Sequence, residues 1–278
     1  MWILRGCLLV YFIWGTTAYA VDASTLAMRK AFLQAELYIN QNRDGDYFAL
    51  ADSLKAYPLY PYLHYQYLKN HLDDNEAVMQ FVHDFAQSRY AALLQQKWLL
   101  QKAQQQQWLI FINQYRHSDD DMLRCYYPQA LFYTGQQDLG IEAARKLWLA
   151  GKTLPTACDA TFELLKASPL FNQDLIWQRF QTALLASDAK LASQLANLLT
   201  PPLRNQAEIW LKLHHQPQHI KTHASWKPDD AQAGLLFAHS IVRWLDIEPI
   251  AALEVWDAEK TVLPSTMKPV PILKNAWH

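Results

Sequence analysis

The chain has 278 residues, of which 51% are hydrophobic and 18% charged, with a formal net charge of −1. Such a chain can bury a sizeable core, and its charge balance argues against nucleic acid or an anionic membrane surface as a partner. Only 7 glycines stand against 13% aromatic residues. That leaves little material for tight strand turns or a phosphate-cradling loop, so an all-α protein is expected.

The first twenty residues carry one basic residue, Arg5, then an apolar run from Cys7 to Trp14, and end in Ala18-Tyr19-Ala20. Residues 1–20 therefore read as a signal peptide cleaved after Ala20, with an uncleaved N-terminal anchor as the alternative. The run is short for a bilayer span. Export places the chain in an oxidising compartment, with no membrane attachment after cleavage. Removal of Cys7 leaves Cys125 and Cys158, an even number that suggests one disulfide; two buried free thiols are the alternative.

Residues 21–260 read as one helical domain, with helical periodicity nearly throughout and strand alternation almost nowhere. Ser24 is placed to cap a helix through Ala27, Ala31, Ala35 and Ile39, and Asp46 to cap another from Tyr47 to about Lys55. Pro58 stops that helix, and Pro61 suits the first turn of the next. The stretch around them, Ala56–Leu68 (AYPLYPYLHYQYL), holds five tyrosines and no charge. Tyr57, Tyr60, Tyr62, Tyr65 and Tyr67 cannot share one helix face. They suit either a packed joint or stacking on a sugar.

A helix from Asp73 or Asp74 places Val78, Phe81, Val82 and Phe85 on one face. Further helices are expected from Arg89, Gln105, Asp119, Gln136, Pro155, Asn172, Ala186, Pro201, Pro228 and Glu248. Gln104–Gln107 reads as a solvated helix face. Gly135-Gln136-Gln137-Asp138 with Ala143, Ala144 and Leu147, and Ser187-Asp188 with Ala192, Leu195 and Ala196, look like loop and second helix of tetratricopeptide-type hairpins. Hairpins this small cannot bury their own apolar faces, which leaves a stacked solenoid or a compact bundle.

Other clusters are weaker. His215, His219 and His223 lie at i, i+4, i+8, but Pro217 makes a polar loop the better reading than a zinc site. Asp119-Asp120-Asp121 reads as a helix cap with acidic first-turn residues rather than a calcium site. No metal or other cofactor is expected.

Two segments carry a specific resemblance. Ala56–Leu68 is close to the YPLYPYLEY motif of the soluble lytic murein transglycosylases. Cys125–Phe162 matches a second family motif at Cys125, Tyr126, Tyr127, Gly135, Gln136, Leu147–Leu149, Gly151, Pro155, Ala157–Asp159 and Phe162. Arg179–Leu199 resembles the next hairpin. The resemblance spans roughly Ala27 to Ala258. It implies a U-shaped superhelix of hairpins in the periplasm, peptidoglycan glycan strands or cell-wall proteins as partners, and a separate lysozyme-like domain for the chemistry.

That chemistry needs one carboxylic acid with a raised pKa. The family's Glu-Ser pair and Gly-Leu-Met-Gln run are absent. Glu36, Glu76, Glu142, Glu163, Glu208, Glu248, Glu254 and Glu259 are each followed by another residue, so no catalytic residue is assigned and no lytic activity is expected of this chain alone. Residues 261–278, with Pro264, Pro269 and Pro271, form an atypical tail that fits a truncation before the catalytic domain. A stand-alone helical-repeat module that binds a protein partner is the alternative. If the superhelix is cut, Leu236, Ile241, Trp244, Leu245 and Trp256 should be partly exposed.

Overall fold

The computed structural model describes residues 23–222 and 231–259. The expected signal peptide, His223 and the 261–278 tail lie outside the described residues. All regular structure among them is helical, and they divide into two compact units, one ending at Trp98 and the other beginning at Leu99.

In the first unit, α1 (Ala23–Asn40) packs on α2 (Asp44–Ala51), which continues as a 3-10 turn over Asp52–Leu54, and on α3 (Tyr60–Leu68); α4 (Asn75–Asp84) packs on α3. The expected cap at Asp46 is displaced. Arg43 occupies the cap position, and Asp44 and Asp46 lie in the first turn, where a carboxylate complements the helix dipole. Asp46 instead holds the Arg43 guanidinium at 2.7 Å. Pro61 does sit in the first turn of α3, and Asp74 caps α4 by accepting from the Ala77 amide at 3.0 Å.

The core of this unit is Phe32, Ala35, Ile39, Tyr47, Ala51, Leu54, Tyr60 and Leu63. Most of the five tyrosines are packing material. Tyr57 and Tyr62 lie against Phe32, with ring centroids 5.4 and 6.2 Å away, and the Tyr62 hydroxyl donates to Glu36 at 2.7 Å. Tyr65 is buried, and Tyr67 stacks on Tyr47 at 4.8 Å.

Helix α5 (Arg89–Gln104) crosses the unit boundary. In the second unit, Gln104–Gln107 is exposed, as expected, but forms the turn before α6 (Trp108–Gln114), with Gln106 at φ 56°. Then come α7 (Asp121–Tyr133), α8 (Gln137–Trp148), α9 (Ala157–Lys166), α10 (Gln173–Leu185), α11 (Ala189–Ala196) and α12 (Pro201–His215). A 3-10 stretch over Pro217–Thr222 precedes α13 (Ala231–Leu245) and α14 (Pro249–Glu259). Contacts run from α6 to α7, within the trio α7–α9, within the trio α10–α12, and on through α13 to α14. This is the neighbour-on-neighbour packing of a helical-hairpin solenoid.

The second family-like motif maps onto the joints of this stack. Gly135 takes φ 90° in the turn before α8, and Gly140 lies so close to α7 that a Cβ there would stand 2.8 Å from the Pro128 carbonyl oxygen. Cys125 and Cys158 form a disulfide from α7 to α9. Beside it, the Gln129 amide donates to the Cys125 and Ala157 carbonyls, both at 3.2 Å, and Thr161 donates to the Cys125 carbonyl. The buried Arg179 guanidinium lies over both the Trp148 and Phe162 rings, 4.0 and 4.6 Å from their centres. Burial lowers the Arg179 pKa to about 10, so it stays charged at neutral pH.

The partial exposure expected at the α13 end is found at Leu245 and Trp256 but corrected at Leu236, Ile241 and Trp244. Leu236, Ile241 and Trp244 are buried, and Leu245 and Trp256 half-buried. The reason is that α12 packs on one side of α13 and α14 on the other, with Trp256 against Phe237 at 6.1 Å.

Two glycines should respond in opposite directions. At Gly140 the added methyl meets backbone that no rotamer can relieve, so Gly140→Ala should cost about 1–3 kcal/mol of overpacking, more than the roughly 0.5–1 kcal/mol gained in helix propensity. Gly45, exposed in α2, has nothing within 4 Å, so Gly45→Ala should gain about 0.5–1 kcal/mol. Urea unfolding midpoints at equal m-value measure both. Likewise, Cys125→Ala with Cys158→Ala should lose about 3–4 kcal/mol, the loop entropy of a closure of this length. Unfolding of the oxidised chain and the double variant checks it.

Candidate functional site

A groove of about 480 Å³ opens in the first unit between α2, α3 and α4. Its wall is aromatic, formed by Tyr47, Phe48, Tyr60, His64, Phe81 and Phe85. Asp52, Lys55, Gln80 and Asp84 supply the polar groups. The Tyr60 ring stacks on His64 at 5.5 Å, and Phe48, 49% exposed, stands edge-on to Tyr67.

The spacing of Ala56–Leu68 explains this wall. Tyr60 and His64 are one helical turn apart and point the same way, while Tyr62 and Tyr65 turn toward other helices. His64 Nδ1 lies 2.9 Å from the Tyr47 hydroxyl. Burial drives the His64 pKa down to about 4, helped by the nearby Lys55 charge, and burial pushes the Tyr47 phenol up. Both are neutral at pH 7. In the tautomer whose Nδ1 accepts the phenol proton, Nε2 keeps its hydrogen and remains a donor.

A second groove, about 530 Å³, lies within the other unit between α6, α7 and α8. Ile112, Leu131, Ala143 and Leu147 give it an apolar floor, and Tyr115 and Tyr127, stacked at 4.7 Å, form one wall. Arg116, Arg124 and Lys146 line it, and no carboxylate does. The Arg116 guanidinium donates to the Asn113 and Tyr115 carbonyls at 3.2 and 2.8 Å. Arg124 pairs with Asp121 at 3.1 Å, and Asp121 also takes Lys152 at 2.8 Å. Those cations hold the Asp121 carboxyl below the usual range, the Lys152 hydrogen bond first.

The sequence did not single out Phe48, Asp52, Lys55, Gln80 and Asp84, or Arg116, Arg124 and Lys146. They come from different helices, and only the fold gathers them. The visible signals were the tyrosine run in Ala56–Leu68 and the aromatic pair after Cys125.

The histidine run is split. His215 ends α12 and His219 lies in the 3-10 stretch. The buried partner is instead His214, whose Nδ1 sits 3.0 Å from His239 Nε2 on α13. Asp120 caps α7 by accepting from the Leu123 amide at 2.9 Å. Among the described residues no cluster of three or more His, Cys, Asp or Glu is disposed for a metal ion, and no helix is long and apolar enough to cross a membrane.

The glutamates are placed for other work. Glu36 accepts from Tyr62, Glu142 pairs with Arg145 at 2.8 Å, Glu163 with Lys166 at 2.8 Å, and Glu248 accepts from Trp244. Glu76, Glu208 and Glu254 are exposed. The Arg145 hydrogen bond holds Glu142 below the usual range, opposite to the shift an acid catalyst requires.

No protein-family model matches the chain. The soluble lytic murein transglycosylase of Escherichia coli K12 is 29% identical over 175 residues, covering 62% of this chain and 27% of that protein. The Salmonella typhimurium protein of the same name is 29% identical over 171 residues, covering 60% and 26%. An inactive mutant of the lytic transglycosylase Slt from Pseudomonas aeruginosa superposes with TM-score 0.72 at 28% identity, over 85% of this chain and 39% of that one. The 70-kDa soluble lytic transglycosylase of Escherichia coli shares the fold, with TM-score 0.69 at 22% identity over 88% and 40%. The chain is thus similar to a part of these proteins, about a quarter of the length of the curated relatives.

The buried histidines carry a pH dependence. His64, His214 and His239 all have pKa values lowered to about 4, by burial first in each case. The unfolded chain binds protons near 6.5 where the folded one does not, so stability is complete above that pH and falls between 6.5 and 4. The lowered carboxyls Asp84, Asp121 and Asp188 lose their contribution only at lower pH. Thermal midpoints should therefore drop from pH 7 to 4.5, and His64→Gln should flatten part of that slope.

Proposed function

We propose that this chain is the non-catalytic, glycan-holding portion of a periplasmic lytic transglycosylase, with residues 1–20 as its signal peptide and 21–260 as its helical-hairpin domain. The observation that carries the reading is the α2–α4 groove. The segment that carries the first family-like motif, Ala56–Leu68, supplies its Tyr60 and His64, and the rest of its wall is aromatic with polar groups at the edge. Sugars are bound that way: an apolar ring face stacks, and hydroxyls meet Asp, Gln or Lys side chains.

The glutamates support a holding role over a cutting one. Cleavage needs an acid desolvated in the cleft that holds the sugar, with groups ready for the developing charge. Glu36, Glu76, Glu142, Glu163, Glu208, Glu248 and Glu254 are exposed or half-exposed, and neither groove is lined by a glutamate. A solved relative, the 70-kDa soluble lytic transglycosylase, was crystallised with bulgecin A. In this reading the bond-breaking belongs to a separate lysozyme-like domain, and the chain fixes where the strand lies.

The test is co-sedimentation with purified peptidoglycan sacculi, followed by chromatography of the supernatant. The chain should pellet with sacculi and release no anhydromuropeptides. Phe48→Ala, at an exposed position, should weaken pelleting about three- to tenfold, the loss of one stacking contact, with unchanged circular dichroism. No pelleting would reject the holding role. Release of anhydromuropeptides that a single Glu→Gln change abolishes would reject the non-catalytic one.

A further inference from the structure

The α6–α8 groove differs from the aromatic one in its electrostatics. Arg116, Arg124 and Lys146 line it without a carboxylate, over an apolar floor and beside the stacked Tyr115–Tyr127 pair. Asp121 lies near but is engaged by both Arg124 and Lys152. Lys146 is exposed on α8, the helix that also closes the floor. The groove therefore pairs a positive field with a flat apolar wall inside about 530 Å³.

Pro128 lines the groove and sits inside α7. It has no N–H to give to the carbonyl four residues back, so the Arg124 carbonyl lacks its usual helical partner. The groove thus offers cations for an anion and an aromatic wall for a ring.

We propose that this groove is a second glycan subsite, specific for an acidic sugar whose carboxylate is free. The sugar ring lies on Tyr115 and Tyr127, and its carboxylate sits between Lys146 and the two arginines. Cations and ring wall share one small groove, so ligand charge and ring must be close neighbours. A free lactyl ether on an amino sugar satisfies this. A stem peptide does not, because amide formation consumes the lactyl carboxylate and moves the charge down the peptide. The subsite therefore favours strands stripped of peptide, the product of an amide hydrolysis. It rests on the glycan-holding reading for its biological setting, but not for its chemistry.

The test is a ¹H–¹⁵N NMR titration of the full chain with N-acetylmuramic acid, with N-acetylglucosamine and muramyl dipeptide as comparisons. N-acetylmuramic acid should move the amides around Tyr115, Arg116, Tyr127 and Lys146, and bind at least about tenfold more tightly than either comparison. Its affinity should fall as salt is raised, since the cations are solvent-facing. Lys146→Glu should abolish the shifts, and Lys146→Arg should keep them. Equal binding of N-acetylglucosamine would overturn the role of charge. Equal binding of muramyl dipeptide at these amides would overturn the preference for peptide-free sugar, and no shift at these amides would overturn the site. Phe48→Ala should leave this binding unchanged, so failure of the subsite and failure of the holding role in sacculus pelleting are separable.

Discussion

The approach of α8 onto α7 is the contact on which the second unit depends. Gly140 lies against the backbone of Pro128 and Phe132, closer than any side chain allows. That closeness, with Ala144 buried one turn on, brings Leu147 and Trp148 inward. Trp148 then meets Phe162 and Arg179, so α9 and α10 join the stack. The disulfide ties α7 to α9 across the same joint. Dispersion and burial act only over short range, so a gap of one methyl group here would propagate outward.

Burying Arg179 is the expensive element of that joint. A guanidinium taken out of water costs several kcal/mol unless something replaces its solvation. Here two aromatic faces do part of that, and the Asp188 carboxylate favours the charged form from a distance. Asp188 meanwhile caps α11 and accepts from Thr153 at 2.7 Å, which fixes the loop after Gly151. The motif residues Trp148, Gly151 and Phe162 are thus structural: they seat one charged side chain and the loop beside it.

Much of this fold was legible in the sequence. Pro61, Asp74, Asn172 and Pro201 mark helix starts through fixed local rules, and those rules act within a few residues. The Cys125–Cys158 pairing also followed, from the even cysteine count that the expected signal-peptide cleavage leaves. Asp46 failed as a cap because two acidic residues compete for one helix start, and Arg43 before them takes the place. The α13 face was expected to lose cover on the argument that a cut superhelix lacks its next unit, but α14 supplies cover, with Ala252 fully buried and Trp256 against Phe237. The grooves were the least legible part. Phe48, His64 and Asp84, or Arg116 and Lys146, meet only through tertiary packing, and no local spacing encodes that.

The central claim is that the chain holds glycan in two grooves and leaves the chemistry elsewhere. Hydrogen exchange of the full chain, with and without soluble glycan strands, tests it most directly. The account predicts added protection confined to Tyr47–Phe85 and Ile112–Leu147. Unchanged exchange in both segments, or protection concentrated in α12 to α14, would contradict it.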